Sequence, residues 1–575
     1  MADYDVIVRG GTVVDGTGSA PFVADVGIRE GRIAAIGKVE GTAKEVIDAK
    51  GLLVTPGFVD VHTHYDGQAI WSERLLPSSQ HGVTTVLFGN CGVGFAPCRA
   101  EDHDALINVM EGVEDIPELV MTEGLTWDWE TFPQYLDAVD RRKRDIDVAA
   151  YLPHSPLRVF VMGERGVNRE PATEDDLKRM KALMSEALDV GAFGFATSRL
   201  HVHRTGQGDQ IPSYEASRQE LIAMGEVMAE KGRGVLQVVP DVDENRYQGE
   251  IDFYIEFSHK VGRPVTFTLA QTNNDPNGWR TVLAKVKAAN DSGAKITPQV
   301  FPRPVGMILG LDSSVNPFSF CPTFQKDVAH LPTRERAARM RDPEIRKRLM
   351  SETPQDAAVP LYALARDFAH IFPLHDAGDY EPAVENSILA QAERKGVTPL
   401  DLAYDMLLEN DGYSMLLVAL ANYAQGTLDP IGEIMRDQST VIALGDGGAH
   451  YGVVCDASYP TFVLSHWTRD RHGSKIGVVE AIKALAYDPA VALGFTDRGK
   501  LAVGYKADIN IIDYDKLKLH IPKMVQDLPG DGRRLTQLAD GYVATLVSGV
   551  PIQRNGVHTG ALPGRLVRSG AIARP

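Results

Sequence analysis

Two histidines that are two residues apart follow an apolar run early in the chain. The run covers residues 56–61, and His62 and His64 lie on either side of Thr63 at its end. Because side chains of a β-strand alternate between its two faces, both imidazoles project to the same side. Paired imidazoles suit Zn²⁺ or a similar divalent ion. The spacing therefore predicts half of a metal site at a strand end.

Two further candidate ligands follow other apolar runs. Cys91 lies in Gly89-Asn90-Cys91-Gly92 after residues 83–88, and Asp446 lies in Gly445-Asp446-Gly447-Gly448 after residues 440–444. A cysteine thiolate is a soft ligand that zinc prefers, whereas a cysteine in an apolar segment is more often a small core residue. An aspartate between glycines is commonly a turn residue. The position of both residues at strand ends favours the metal-site interpretation.

The elements that would position these residues alternate along the chain. Between residues 57 and 497, runs typical of β-strands alternate with amphipathic helical stretches such as residues 174–190 and 218–231. Eight such strands separated by helices predict a (β/α)₈ barrel of the TIM type, an α/β fold whose functional groups lie at the C-terminal ends of its strands. The eight strand candidates are residues 58–61, 83–88, 147–152, 192–196, 234–239, 264–269, 295–300 and 440–445.

Short strands punctuated by glycine fill both ends of the chain. Residues 5–16 have the pattern of two strands joined by a Gly10-Gly11 turn, and β-type runs return at residues 507–513 and 543–551. The pattern predicts a small β-sandwich built from residues 1–56 and residues 498–575. The barrel of residues 57–497 would then lie between the two parts of the sandwich.

Several stretches follow one another in an order that one family shares. They are residues 7–16, 56–64, 82–86, 89–92, 443–448 and 504–508. On these stretches the chain resembles the metal-dependent amidohydrolase superfamily and, within it, the D-aminoacylase (N-acyl-D-amino-acid deacylase) branch. This resemblance implies that Asp446 binds a metal and carries the proton during cleavage of a C–N amide bond, and that Cys91 is a zinc ligand.

The chain departs from that family at two strand ends. Members of the superfamily normally place one histidine at the end of the fifth strand and another at the end of the sixth, but residues 236–241 and 268–273 contain none. The resemblance then implies one Zn²⁺, or another divalent transition metal, per chain. Its ligands would be His62, His64 and Asp446, with Cys91 as the fourth.

A loop after the fourth strand candidate carries a second pair of histidines. His201 and His203 lie in this loop beside Arg199 and Arg204. One interpretation is a substrate-binding loop in which the histidines donate hydrogen bonds and an arginine binds a carboxylate in bidentate fashion. A replacement metal site and a solvated polar loop remain open. For His154, after the third strand candidate, a structural hydrogen bond and a role near the metal are both open.

An acidic insertion precedes the third strand candidate. It has no lysine or arginine from Glu101 to Asp140 and contains Trp127 and Trp129. It is expected either to cover the ends of the strands as a solvated layer or to line the substrate pocket with its tryptophans.

Composition excludes several other classes of protein. The 575 residues carry a formal net charge of −18, and the chain has no basic tract, which argues against a nucleic-acid partner. No run of about 18 apolar residues and no secretory leader pattern appear, so a cytoplasmic protein without membrane contact is expected. Four cysteines are too few for a disulfide framework. A homo-oligomer is compatible with the sequence.

The sequence thus predicts a metal-dependent hydrolase of small amides, most simply an N-acyl-D-amino-acid deacylase. One alternative is a cyclic amide or imide hydrolase of the same superfamily, which would use the same metal and Asp446 without a carboxylate-binding group. Another is a catalytically silent barrel that serves as a scaffold, since two of the superfamily's histidines are missing.

Overall fold

A computed structural model describes residues 2–354, 360–374 and 378–570 of the protein, which has a mixed α/β fold. Strands from both ends of the chain form one nine-stranded sheet, in which Leu53–Pro56 pairs antiparallel with Ile509–Ile512 and parallel with Tyr4–Val13. The two ends of the chain therefore complete the same sheet. The other strands of this sheet are Phe22–Arg29, Arg32–Gly37, Ala43–Asp48, Tyr542–Val547, Val550–Arg554 and Val557–His558.

The prediction of a turn at Gly10-Gly11 is wrong. Tyr4–Val13 is one continuous strand, and its register against Phe22–Arg29 shifts between Val8 and Gly11. Gly10 has a φ of +67°, which glycine adopts at little cost and which accommodates a β-bulge within a strand. The pair of glycines therefore bends the strand and does not end it.

Parallel strands make up the middle of the chain. They form one group of three and one group of six, ordered by sequence within each group. Val441–Ile442 pairs with Ile296–Val300 across the intervening antiparallel strands of the sequence. All eight strand candidates contain strand residues, with the third interrupted at Tyr151. The strands are Phe58–Asp60, Val83–Phe88 and Asp147–Ala150 in the first group, and Leu152–Pro153, Gly194–Ser198, Val235–Val239, Val265–Thr268, Ile296–Val300 and Val441–Ile442 in the second.

Backbone hydrogen bonds join the last of these strands to the first. The N–H of Asp446 donates to the carbonyl of His62 at 3.2 Å, and the N–H of His64 donates to the carbonyl of Gly447 at 2.8 Å. These bonds bring residues from opposite ends of the parallel series to the same place. They fix the backbone of three candidate ligands, His62, His64 and Asp446, relative to one another.

Helices connect the parallel strands and pack on them. The helix Glu174–Asp189 begins at a capping box in which Thr173 and Asp176 exchange hydrogen bonds, so its predicted start is confirmed. No helix in the described ranges combines the length and the apolar character that a membrane crossing requires. Other helices in this part of the chain are His103–Glu114, Glu118–Gly124, Phe132–Arg141, His154–Met162, Arg218–Glu230, Glu244–Val261, Gly278–Asp291, Asp429–Arg436, Tyr459–Phe462, Val478–Ile482 and Asp488–Ala492.

A separate layer of structure precedes the last parallel strand. Its antiparallel sheet consists of Val305–Gly310, Met415–Ala421 and Ile371–Leu374, with Met415–Ala421 in the centre. Its helices pack around a second apolar core that includes Phe318 and Tyr404. These helices are Pro322–Asp327, Thr333–Met340, Pro343–Ser351, Pro360–Leu364, Ile388–Lys395 and Pro399–Leu408.

A buried ionic network ties the parallel strands to the sheet of the chain ends. Arg498 donates to Asp147 at 2.7 Å, and Lys506 lies 3.0 Å from Asp147 and 2.6 Å from Asp508. Burial of charges is tolerated here because each has a partner of opposite sign. The network anchors the third parallel strand to the segment that leads back into the sheet.

Candidate metal centre and its cavity

His62 and His64 follow the strand Phe58–Asp60 and are both buried. His62 donates from Nδ1 to the side-chain carbonyl of Gln299 at 2.7 Å, which leaves its Nε2 without a proton. The Nδ1 of His64 lies 3.2 Å from a carboxylate oxygen of Glu114. His62 is therefore held from behind at Nδ1, whereas Glu114 lies behind His64 without a hydrogen bond to it. Both imidazoles present Nε2 to the same space.

Cys91 reaches this space because its backbone takes a rare conformation. Its φ is +57°, between Gly89 at +81° and Gly92 at +68°. A Cβ on Gly92 would lie 2.6 Å from the Cα of Thr197, so the turn passes too close to the neighbouring strand for a side chain there. The Sγ of Cys91 lies 3.4 Å from Nε2 of His62 and 3.8 Å from Nε2 of His64.

Asp446 approaches the two histidines from the last strand. Its Oδ1 lies 3.7 Å from Nε2 of His62 and 3.7 Å from Nε2 of His64, and it has no hydrogen-bond partner among the described residues. The backbone around it is tightly constrained, since a Cβ on Gly445 would clash with a carboxylate oxygen of Asp60. A glycine before Asp446 is thus required for the close approach of the first and last strands.

These donor atoms fit a small divalent cation. The nearest ligand atoms of His62, His64 and Cys91 all lie within 4.8 Å of one another. Ligands about 2.0 to 2.3 Å from a tetrahedral zinc lie roughly 3.3 to 3.8 Å apart, close to the distances found here. A cation would also give a partner to the buried, unpaired Oδ1 of Asp446. The donor set of imidazole, thiolate and carboxylate is one that zinc prefers.

Burial sets the protonation of these groups. It lowers the pKa of His62 to about 4 and lowers that of His64 well below its ordinary value, so both imidazoles are neutral at pH 7 as metal ligands must be. Burial, together with Glu114 and Asp446, raises the pKa of the Cys91 thiol well above its ordinary value. Burial raises the pKa of Asp446 in the same way, with a smaller contribution from Asp456. A cation held here would favour the ionised forms of Cys91 and Asp446.

Glu114 and His450 belong to the centre although no motif in the sequence distinguishes them. Glu114 is the last residue of the helix His103–Glu114 in the acidic insertion, and it is buried between His64 and His450. Its second carboxylate oxygen lies 3.5 Å from Nε2 of His450. Nothing in an acidic stretch distinguishes one buried glutamate from its solvated neighbours. His450 follows Asp446 by four residues, and that proximity is the one signal that could have identified it.

A cavity of about 550 Å³ opens over the candidate ligands. This volume suits a small organic molecule. Its walls are largely apolar and come from the segments that follow several parallel strands. The lining residues are His62, His64, Cys91, Glu114, Leu200, His203, Val239, Pro240, Val242, Tyr247, Gln248, Thr268, Ala270, Thr272, Asn274, Asp275, Gly278, Trp279, Phe301, Val305, Ala421, Leu444, Asp446, His450 and Asp456.

The loop after the fourth strand contributes one of its four candidate residues to this cavity. His203 lines it and contacts the hydroxyl of Ser198 through Nδ1 at 2.8 Å. Arg199 pairs with Glu250. His201 lies 2.7 Å from Asp241, outside the set of lining residues, and Arg204 is exposed with a hydrogen bond to the carbonyl of Gly208.

One glutamine lies in, and another follows, the two strands whose ends lack the histidines expected from the resemblance. Gln237 accepts a hydrogen bond from the N–H of Cys91 at 3.0 Å and so supports the cysteine turn. Gln271 accepts one from Ala424 and donates to Pro276. Neither side chain is among those that line the cavity. They serve as supports for neighbouring backbone in this chain.

The remaining candidates are structural. His154 is buried, with Nδ1 2.8 Å from the hydroxyl of Thr197 and Nε2 2.7 Å from Glu220. Trp129 is buried and donates to the carbonyl of Phe95, and Trp127 stacks on His103 with ring centroids 3.8 Å apart. Both tryptophans stabilise the acidic insertion, which contacts the cavity through Glu114.

Comparison with known sequences gives one family over most of the chain. The model of a family described as "Amidohydrolase family" matches residues 45–553. An uncharacterized protein of Mycobacterium tuberculosis is 29% identical over 609 aligned residues, which cover 99% of this chain and 96% of that protein. D-aminoacylase of Alcaligenes xylosoxydans xylosoxydans is 29% identical over 293 residues, which cover 50% of this chain and 55% of that enzyme.

Comparison with solved structures shows the fold. A crystal structure of D-aminoacylase superposes with a TM-score of 0.65 at 23% identity, covering 98% of this chain and 100% of that one. The structure of N-acyl-D-glutamate deacylase from Bordetella bronchiseptica, complexed with zinc and a phosphonate inhibitor, superposes with a TM-score of 0.66 at 23% identity and the same coverage. The chain therefore shares its overall fold with both enzymes.

Proposed function

Because this chain belongs to the amidohydrolase family, we propose that it is a metal-dependent deacylase that hydrolyses the amide bond of N-acyl amino acids. The observation that carries the proposal is the convergence of His62, His64 and Cys91 with Asp446, whose Oδ1 lies 3.7 Å from both imidazoles. The preference for D-amino acids is inferred from the relatives, among which are a D-aminoacylase and an N-acyl-D-aspartate deacylase.

We also propose a domain organisation for this function. The parallel strands of residues 57–497, eight when Asp147–Ala150 and Leu152–Pro153 are counted as one, would close into a (β/α)₈ barrel through the hydrogen bonds between the segments of His62 and Asp446. Residues 1–56 and 498–575 would form the flanking β-sandwich domain. This arrangement is supported by the position of the candidate ligands, which all follow the C-terminal ends of parallel strands.

The proposed ligands are His62, His64, Cys91 and Asp446, and the proposed ion is zinc, one per chain. When bound, such an ion polarises the amide carbonyl and increases the acidity of water in the site. Gln299 holds His62 in the tautomer that would present Nε2 to the ion, and Glu114 lies 3.2 Å from Nδ1 of His64, where it would favour the same tautomer. The apolar cavity walls exclude bulk water around the reacting amide.

Asp446 is the proposed proton carrier. Its carboxylate accepts a proton from the attacking water, whose oxygen bonds to the acyl carbon. It then delivers that proton to the amide nitrogen, so that the C–N bond breaks with an amine as the leaving group. The products are a carboxylic acid and a free amine. The Asp446 carboxylate can act first as base and then as acid because it lies beside His62 and His64, next to the reacting amide.

The test combines metal analysis with substrate assays. Purified protein is expected to bind about one equivalent of zinc and to release acyl acid from N-acyl-D-amino acids faster than from their L-enantiomers. A cyclic amide or imide hydrolase would open cyclic imides and leave both enantiomers intact. The proposal would be contradicted by a protein that binds no zinc when zinc is added and that hydrolyses none of these compounds. That result would favour a scaffold.

A further inference from the structure

The cavity over the candidate metal centre contains acidic groups but no permanent cation. Among the residues that the structure describes, no lysine or arginine lines it. Four carboxyl groups do so, from Glu114, Asp275, Asp446 and Asp456. A substrate carboxylate would normally be bound by arginine or lysine, of which arginine can pair with both of its oxygens.

Arginines near the cavity are committed to other partners. Arg303 donates to Asp456 at 2.6 Å and to the hydroxyl of Ser458 at 3.0 Å, and it is fully buried behind the wall. Arg246 lies 2.9 Å from Glu215 and 3.3 Å from Asp241. Each of these guanidinium groups is paired with a carboxylate, and neither of them lines the cavity.

The candidate metal centre contributes no net positive charge to the cavity. A divalent cation bound by the Cys91 thiolate and the Asp446 carboxylate has its two charges balanced by its own ligands. Two further imidazoles line the wall, those of His203 and His450. Burial lowers the pKa of His203 to about 3 and that of His450 to about 4, so both are uncharged at neutral pH.

The rest of the wall is suited to apolar groups. Val239, Tyr247, Trp279 and Phe301 face the cavity, and Trp279 is almost fully buried. Apolar and aromatic walls bind hydrocarbon by removing its surface from water. An anionic group placed against them loses its hydration without gaining a partner, which is unfavourable.

We propose that the preferred substrates are N-acyl compounds that are uncharged on the amine side of the scissile bond, such as amides of N-acyl amino acids or simple apolar N-acyl amines. This inference rests on the proposed function and moves its preferred substrates from free N-acyl amino acids to their uncharged analogues. The reaction is unchanged: the hydroxyl of water goes to the acyl carbon, its proton goes to the nitrogen, and the C–N bond breaks.

The direct test compares N-acetyl-D-leucine with N-acetyl-D-leucinamide, using enzyme with its zinc content measured. Release of acetate reports cleavage of the N-acyl bond, and release of ammonia reports cleavage of the terminal amide. We expect kcat/KM for acetate release to be at least about tenfold higher for the neutral compound, since an unpaired carboxylate is disfavoured in the cavity.

The outcomes separate the two proposals. Equal or faster hydrolysis of the free acid overturns this inference and leaves the proposed function standing. If neither compound releases acetate with zinc bound, the proposed function fails and the inference fails with it.

A variant pair tests whether charge is the cause. Val242 lines the cavity at its mouth and is 49% exposed, whereas Val557 is 68% exposed on the sheet of the chain ends. Val242→Lys is expected to raise the ratio of acid to amide hydrolysis several-fold, and Val557→Lys is expected to leave it at the parental value. An unchanged ratio in Val242→Lys would contradict charge as the basis of the preference.

Discussion

Replacing Asp446 with asparagine separates proton transfer from the structure of the site. The backbone of Asp446 has a φ of +46°, a region in which aspartate and asparagine are the most tolerant residues after glycine. The amide is nearly the same size as the carboxylate. The N–H of residue 446 still donates to the carbonyl of His62, so the connection between the last and first strands remains. We therefore expect the fold and the cavity to be retained.

The expected loss of activity follows from the chemistry of the side chain. An asparagine cannot accept the proton of the attacking water or return it to the amide nitrogen. Loss of a general acid–base group lowers the rate by about 10²- to 10⁴-fold. At about 1.4 kcal/mol for each factor of ten, this corresponds to roughly 3 to 6 kcal/mol in the activation free energy. The Asp446→Asn variant also lacks the negative charge beside the two imidazoles, so its metal affinity is expected to fall.

The assay must therefore count the metal as well as the product. Initial rates are measured with excess zinc, and the zinc bound per chain is determined by mass spectrometry on the same sample. Asp291→Asn is the matched control, because Asp291 is exposed at the end of the helix Gly278–Asp291 and does not line the cavity. This control is expected to keep near-parental activity. A zinc-loaded Asp446→Asn variant with near-parental activity would remove Asp446 from the mechanism.

The remaining predictions concern the metal ligands and their support. His62→Ala and His64→Ala are expected to lose bound zinc, because each variant lacks one of the proposed ligands. His259→Ala, on an exposed helix surface, is expected to keep its zinc. Full zinc content in the first two variants would refute the ligand assignment. Cys91→Ser is expected to lower zinc occupancy because a hydroxyl offers no thiolate. Cys98→Ser in the core should lower the free energy of unfolding by about 1 kcal/mol and leave zinc in place. Melting temperature and zinc content measured on the same samples distinguish these effects. Glu114→Gln is expected to weaken zinc binding by about 10- to 100-fold in competition with a chelator, because the Glu114 carboxyl lies 3.2 Å from Nδ1 of His64. Glu118→Gln on the surface serves as its control. Equal affinity in the two glutamate variants would show that Glu114 does not support the ligand.

The positions of the candidate ligands were predictable because local pattern determines them. An apolar run of strand length, followed by His62 and His64, specifies both the element and the face on which the side chains lie. The same holds for Cys91 and Asp446, each at the end of a predicted strand. Their mutual distances depend on the pairing of strands far apart in the chain. The order of alternating strands and helices was enough to predict that pairing.

The partners of charged side chains were not predictable in this way. Arg199 and His201 lie in the predicted loop, but Glu250 and Asp241 from later segments pair with them. Glu114 enters the centre through the packing of an inserted helix, which no periodicity in the acidic stretch reveals. The sequence could therefore place these residues near the ends of the strands. It could not determine which of them would face a substrate.

The sheet shared by the two ends of the chain also determines the order in which the protein can fold during synthesis. Leu53–Pro56 leaves the ribosome early, but its antiparallel partner Ile509–Ile512 emerges only after all of the parallel strands. Until then, one edge of the N-terminal strands has no partner, and unpaired strand edges promote aggregation. A ribosome that stalls within residues 57–508 would release a chain with this edge exposed. Chaperone capture of the nascent chain is therefore expected to persist until the C-terminal strands have been synthesised.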